Sequence, residues 1–515
     1  MSWKYASRSR SRPLGSAGFL CPVAPVRGPQ GQGDEGCVLG MADVVTGELA
    51  EAGEAVLHGV AVAVDGLGRV RYRAVPCQVD AHGAQQPVLL GVGDVRSVES
   101  AEHVVFAIAG SGRPGPVVLG LPEDMLTDTV QVPDATPLPV PAGAVSAAER
   151  DRLAALLGAA ERPLLLLGGS RWTGRARADV REWAEAWSLP VTVDFRCQDL
   201  VVNDSESYIG ALGYGRADAV AERVRVADLL ICVGTAPGDV CTDGFTLLPT
   251  DGTGPRLVQA LPAPQPPAPL YPADLALLAV PEAFGVAVRG LHPDAAVPWG
   301  PRTEQDRAAH LEFRTPVPDD DPLNLGAVFA HLDARLPHDT VVTFGAGNHA
   351  VWAQRFLTYR DGWRQLAPRN GSMGYGIPAA AVAAAIAEPG RQVVSVAGDG
   401  CFLMNGQELA TAVAEGAAPL VLVLNNSTYG TIRQHQEQSY PGRVSGTGLV
   451  NPDFAALARA FGAHGETVTT FDAFPAALER SLASGTAALI ELKVTDGLLA
   501  PGVTVDSLRE EHQHV

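Results

Sequence analysis

Residues 391–429, RQVVSVAGDGCFLMNGQELATAVAEGAAPLVLVLNNSTY, limit the fold more than any other part of the chain. The spacing predicts a buried strand over 392–397, a short apolar run rich in β-branched residues. It predicts a helix over 405–415, with Leu409, Ala410 and Val413 on its apolar face and Gly416 as its stop. A second buried strand follows over 419–424 and halts at Asn425-Asn426. Strand, helix and strand within so short a span make a βαβ unit, whose two strands run parallel.

Neighbouring strands lie about 4.8 Å apart, so Asp399 and Asn426 emerge together at the carboxyl edge of the sheet. Open α/β sheets bind ligands at that edge. One carboxylate and one amide oxygen suit a hard cation such as Mg²⁺, with phosphate oxygens and water completing its octahedron. Gly398 and Gly400 let backbone approach a phosphate, and a helix N-terminus beyond them offers free N–H groups. A GDG triplet alone reads as an ordinary turn, because Gly and Asp dominate turns. Set between two buried strands and answered by Asn426, it reads instead as a holder for Mg²⁺ and a diphosphate.

GDG followed by NN, with Asn426 27 positions after Asp399, resembles the thiamine-diphosphate signature. GDGCFLMNGQELATAV and LNNSTYGTIRQHQ are similar to the acetolactate-synthase-like, large-subunit-type branch of that family. The resemblance implies an α/β chain. A Rossmann-like middle domain and a C-terminal, doubly wound parallel-sheet domain holding the diphosphate follow an incomplete N-terminal α/β domain.

The N-terminal part is the hardest to read. Residues 1–12 are basic and Ser-rich and read as a disordered tail rather than a leader, since Pro13, Gly15 and Gly18 interrupt any apolar core. A helix is expected over 48–62 and a strand over 87–90. The family's glutamate, in an Arg/His-Glu setting, and its Ser-Gly-Pro-Gly-like loop have no counterpart in 1–95. Glu35, Glu48, Glu51 and Glu54 stand in other contexts, so no catalytic residue is assigned. Resemblance begins near Val98 and is clear in SGRPGPVVLGLPEDM, where 116–121 reads as the last strand of that domain. Either 1–95 has diverged or its reading frame or gene start is wrong, the second being slightly favoured.

The remaining organisation follows in order. The incomplete domain spans 1–128, and a Pro-rich linker covers 132–141. The central domain, 146–292, alternates helices at 147–157 and 175–187 with strands at 163–167, 190–193 and 228–233. Residues 262–269 and 293–322 read as proline-punctuated connections. The C-terminal domain, 323–506, carries helices at 324–336, 453–461 and 474–482, strands at 340–344 and 487–493, and a helix opened by Pro378.

What the chain excludes follows from its balance. A formal net charge of −19 argues against a nucleic-acid partner. No apolar run approaches the ~18 residues of a membrane span. Seven scattered cysteines without a CxxC pair suit reduced thiols in the cytoplasm.

The resemblance also implies site roles. Gly345, Asn348 and His349 would touch the diphosphate, Asn348 alternatively capping the helix that begins there. Gly371 and Ser372 lead to Met373, the wedge that props the cofactor in a V shape, or else a core residue. Gly398, Asp399, Gly400, Cys401, Asn426 and Tyr429 complete the cofactor set, Cys401 as a small neighbour rather than a nucleophile. Asp399, Asn426 and the Thr428 carbonyl would hold Mg²⁺. Gln434, His435 and Gln436 lie either near the substrate channel or in a solvated loop. FAD is admitted but not required: Gly168-Gly169 lacks GxGxxG spacing, and Ala236-Pro237-Gly238-Asp239-Val240 stands where flavin-binding members carry a basic and acidic run.

The implied reaction decarboxylates pyruvate or another 2-oxo acid and joins the resulting enamine to a second carbonyl, as in branched-chain amino acid biosynthesis. Two chains share each site, so a homodimer or tetramer is expected. The alternatives are a 2-oxo-acid decarboxylase, another carboligase or lyase of the family, or a non-catalytic remnant lacking the activating glutamate.

Overall fold

A computed structural model describes residues 56–64, 70–78, 88–91, 98–120, 129, 138–140, 142–264, 269–317, 321–495 and 497–513. At the N-terminal side, β1 (Val56–Val64) and β2 (Val70–Gln78) form an antiparallel pair. The helix expected over 48–62 is therefore corrected across 56–62. VLHGVAVAV is rich in β-branched valine, and it pairs as a strand; residues 48–55 lie outside the described set, as do all four glutamates considered above. Next, β3 (Val88–Gly91) and β4 (Val117–Gly120) pair in parallel across the helix Val98–Gly110.

Two parallel six-stranded sheets with flanking helices make up most of the described fold. The first contains β5 (Pro163–Leu167), β6 (Val191–Val193), β7 (Tyr208–Ala211), β8 (Leu229–Val233), β9 (Arg256–Leu261) and β10 (Leu275–Leu278), in the order β10-β9-β8-β5-β6-β7. The strand PLLLL is buried throughout, because helices cover both faces of a parallel sheet. Leu165 and Leu167 enter one core, and Leu164 and Leu166 enter the other. The helix Ala147–Gly158 starts at a capping box: Ser146 Oγ accepts from Glu149 N at 3.3 Å, and Glu149 Oε2 accepts from Ser146 N at 2.8 Å.

The second sheet contains β11 (Val341–Phe344), β12 (Arg364–Leu366), β13 (Val393–Gly398), β14 (Leu420–Asn425), β15 (His464–Val468) and β16 (Ala488–Lys493), in the order β12-β11-β13-β14-β16-β15. Alternate side chains of β14 divide between two cores, Leu420, Leu422 and Leu424 to one face and Val421 and Val423 to the other. A short antiparallel pair, β17 (Leu498–Ala500) with β18 (Val503–Thr504), and the helix Val505–Gln513 close the chain.

Three expectations change here. The helix expected over 405–415 is shorter, Glu408–Ala414, and a separate helix, Asp399–Asn405, precedes it across Gly406-Gln407. A Cβ at Gly406 would lie 2.7 Å from Phe402 Cζ, so the glycine is where the chain tightens onto that ring. Residues 293–322 are more than a connection, since the helix Gly300–Phe313 buries Thr303, Asp306 and His310. Gln434, His435 and Gln436 lie in the helix Gly430–Ser439 rather than in a loop.

A polar seam joins the two sheet regions. Asn203 N donates to Tyr359 O at 2.8 Å, and Tyr359 N donates back to Asn203 Oδ1 at 3.0 Å. Gln198 Nε2 donates to Gln354 O at 2.8 Å. The Arg369 guanidinium pairs with the buried Asp194 carboxylate.

Candidate cofactor site

In the C-terminal sheet the chain leaves β11 for β12 on one side and returns to β13 on the other. Ligands gather beyond the strand ends at such a switch point. Phe344, Gly398 and Asn425 end the three adjacent strands β11, β13 and β14 there.

Asp399 follows β13 directly and is only 2% exposed. Its Oδ1 accepts from Gly400 N at 2.8 Å, and its Oδ2 accepts from Asn451 Nδ2 at 2.8 Å. Burial raises its pKa, while these bonds and the backbone N–H groups of Ser427 and Thr428 oppose the rise. Asp399 and the 426–428 turn are thus neighbours. All these donors are uncharged, so the carboxylate keeps unmet attraction for a cation. Asn426 Oδ1 accepts from Thr428 N at 3.2 Å, and Ser427 takes a left-handed φ of 56° between them. The turn is stapled from outside: Thr428 Oγ1 donates to Thr447 O at 2.9 Å, and Leu449 N donates to Ser427 O at 2.8 Å. Among the described residues no group of three or more His, Cys, Asp or Glu side chains could hold a metal ion. A cation here would rest on one carboxylate with amide and carbonyl oxygens, a donor set that fits Mg²⁺.

Glycines bring three loops to one point. A Cβ on Gly345 would overlap Cys401 Sγ, and one on Gly400 would overlap the Tyr429 ring. Gly374 N donates to Cys401 Sγ at 3.2 Å, and burial pushes that thiol up, away from nucleophile chemistry. Gly371 and Gly374 adopt left-handed φ values of 76° and 80°. Ser372 Oγ donates to Asn370 Oδ1 at 2.9 Å. Met373 between them is 36% exposed and belongs to no core.

Asn348 does not cap its helix. The helix Asn348–Phe356 has Gly347 at its N-cap with no side-chain cap. Instead Thr431 Oγ1 donates to Asn348 Oδ1 at 2.8 Å, and Asn348 Nδ2 donates to Gln434 Oε1 at 2.8 Å. His349 is buried with its Nε2 unpartnered, and burial beside Arg196 pulls its pKa down to about 3, which keeps it neutral. This fits a cradle awaiting a polar group.

Sequence reasoning missed two contributors. Asn451, 52 positions from Asp399, stands just ahead of the helix expected over 453–461 and carries no motif of its own. Arg196, on the central domain, donates from Nη1 to Gly345 O at 2.6 Å and stacks on Phe195 and Phe344. No motif marks it.

The central sheet offers a different picture at its own switch point, between β5 and β8. A Cβ on Gly169 would overlap Gly234 O, and Trp172 Nε1 closes over Gly168 O at 2.8 Å. Asp239 stands nearby in the chain without a basic partner run.

The thiamine pyrophosphate enzyme C-terminal TPP binding domain matches residues 345–492, and the thiamine pyrophosphate enzyme central domain matches 150–285. The acetolactate synthase large subunit of Parasynechococcus marenigrum (strain WH8102) is 32% identical over 440 residues, 82% of this chain and 70% of that protein. The acetolactate synthase isozyme 2 large subunit of Escherichia coli (strain K12) is 30% identical over 427 residues, 81% of this chain and 76% of that one.

Proposed function

Because the chain belongs to the acetolactate-synthase-like family of thiamine pyrophosphate enzymes, we propose that it is a Mg²⁺-dependent carboligase acting on pyruvate or another small 2-oxo acid. The observation that supports this most is the buried Asp399 carboxylate, met only by uncharged donors and adjoining the 426–428 turn. Asp399, Asn426 and the Thr428 carbonyl hold the cation. Gly345, Asn348, His349, Gly371, Ser372, Gly398, Gly400, Cys401 and Tyr429 surround the cofactor, and Met373 props it. Thiamine diphosphate, when bound, supplies the carbon nucleophile and the electron sink for loss of CO₂. The neutral His349 ring adds a hydrogen-bonding nitrogen without adding charge.

FAD is admitted but not required by this reading, since Ala236-Pro237-Gly238-Asp239-Val240 stands where flavin-binding members carry a basic and acidic run. Met373, Tyr375, Leu403 and Met404 are exposed apolar side chains at this edge, which supports a homodimer or tetramer covering them. Among the described residues no helix is long and apolar enough to cross a membrane.

The test is turnover by the purified full-length chain. Acetolactate should form from pyruvate only when Mg²⁺ and thiamine diphosphate are both present, and absence of turnover with a panel of 2-oxo acids would sink the carboligase reading. A second reading, a chain that binds the diphosphate without turnover, draws on the missing glutamate context in 1–95. Cofactor-dependent stabilisation without product favours it.

A further inference from the structure

A run of polar side chains leads from β16 to Asp399: Glu491, Asn425 and Asp399 are buried, and Asn451 between them is half-buried. Glu491, 1% exposed on β16, accepts at Oε1 from Asn425 Nδ2 at 2.7 Å and from Lys493 Nζ at 2.7 Å. Its Oε2 accepts from Thr467 Oγ1 at 3.0 Å. Asn425 Oδ1 then accepts from Ser427 N at 3.1 Å and from Asn451 Nδ2 at 2.8 Å. Asn451 gives its second amide hydrogen to Asp399 Oδ2 at 2.8 Å, and its own Oδ1 is buried without a partner.

Proton bookkeeping fixes the direction of this run. A carboxylate only accepts, so Glu491 requires the nitrogen of Asn425. That turns Asn425 Oδ1 toward Asn451, which must answer with its nitrogen. Reversing Asn451 would set its oxygen against two oxygens, and reversing Asn425 would set oxygen against Glu491 and nitrogen against the nitrogens of Asn451 and Ser427. Both hydrogens of Asn451 are then committed, one to each neighbour.

We propose that Asn451, oriented through Asn425 by Glu491, is a positioning residue for the cation site, fixing which lone pairs of the Asp399 carboxylate remain for the metal. The inference rests on the reading of Asp399 as a cation ligand. Gly400 N and Asn451 Nδ2 each bond a different oxygen of Asp399, so the protein itself sets the plane of the carboxylate. Groups that orient metal ligands in this way typically alter metal affinity about 10–100-fold when removed. Mg²⁺ demands near-ideal octahedral geometry, whereas Ca²⁺ accepts a looser shell. Loss of the relay should therefore penalise Mg²⁺ more than Ca²⁺, which a merely structural loss would not do.

The experiment titrates Mg²⁺ and Ca²⁺ separately into the full-length chain with thiamine diphosphate present, following the thermal midpoint and binding heat. For Asn451→Ala, Mg²⁺ affinity should fall about 10–100-fold, with a clearly smaller fall for Ca²⁺. The near-isosteric Glu491→Gln should move the Mg²⁺:Ca²⁺ ratio the same way by a smaller factor, and it keeps the test decisive if Asn451→Ala does not fold. Unchanged Mg²⁺ affinity, or equal losses for both ions, would overturn the positioning role. Asp399→Ala separates the two layers: if it abolishes Mg²⁺ binding while the relay variants change nothing, only this inference fails. If Asp399→Ala itself leaves Mg²⁺ affinity unchanged, the site reading and the inference fall together.

Discussion

In the central sheet the chain leaves β5 toward β6 and returns to β8 on the other side; in the C-terminal sheet it leaves β11 toward β12 and returns to β13. Both therefore have a switch point lined by glycines, and both set a buried aspartate beyond a strand. Their aspartates are spent differently. Asp194 meets a guanidinium from Arg369, the hydroxyl of Thr235 at 2.6 Å and the N–H of Phe195 at 2.7 Å. Asp399 meets amides and N–H groups alone. Topology supplies a switch point in both cases, and the charge of the partner differs: a guanidinium at Asp194, uncharged donors at Asp399. In the central sheet glycine meets glycine; in the C-terminal sheet glycine meets a sulfur and an aromatic ring on separate loops.

The strongest way to break this contrast is Asp399→Ala. It should abolish the stabilisation by Mg²⁺ with thiamine diphosphate, worth about 2.7 kcal/mol at 100 times Kd, and leave the metal-free thermal midpoint near that of the parent. Retained cofactor-dependent stabilisation would mean the two aspartates are not functionally distinct. On the other side, Arg369→Ala should leave Asp194 buried and unpaired and cost about 1–3 kcal/mol in denaturant unfolding, at the low end because Arg369 is half exposed. Mg²⁺ affinity should not change, and a parallel loss of affinity would show that the seam and the seat act as one.

Each region also buries a histidine, His310 beside Tyr208 and His349 beside Gly398, and burial pulls both down to about 3. The unfolded chain binds their protons below about pH 6.5 while the folded chain resists until about 3. Stability should thus fall as pH drops through that window, by up to about 1.4 kcal/mol per pH unit for each ring. Replacing His310 by Phe should flatten the acid limb of a stability–pH curve, and an unchanged limb would reject its burial as a neutral ring. The smallest stability effect belongs to Met373→Ala, within about 0.5 kcal/mol at so exposed a position. The same change should slow turnover more than it weakens diphosphate binding, and equal kinetics in mutant and parent would remove its propping role.

The apolar runs 163–167 and 419–424 carried the sheets in plain view, because strands covered on both faces need continuous hydrophobic sequence. Asp399 and Asn426 were legible because a βαβ unit brings them together within one local segment. Polar strands such as HGETV at β15 have no such signature and form through their neighbour β16. The helix Gly300–Phe313 was hidden by flanking prolines, although Pro301 sits in its first turn, where proline is tolerated. Asn451 and Arg196 escaped for a different reason. Their contacts join positions 52 and 149 apart in the chain, and nothing local records them.

Arg196 has one more consequence, for anyone who would cut this protein into pieces. Its guanidinium, 7% exposed and lowered to about 10 by burial, stays charged at neutral pH while it grips the carbonyl of Gly345. A fragment starting at Leu323 would contain every candidate ligand and still lose the clamp on the Gly345 turn. The cofactor end of this chain is therefore not a transplantable cassette: its geometry is finished by a residue that a modular division would leave behind.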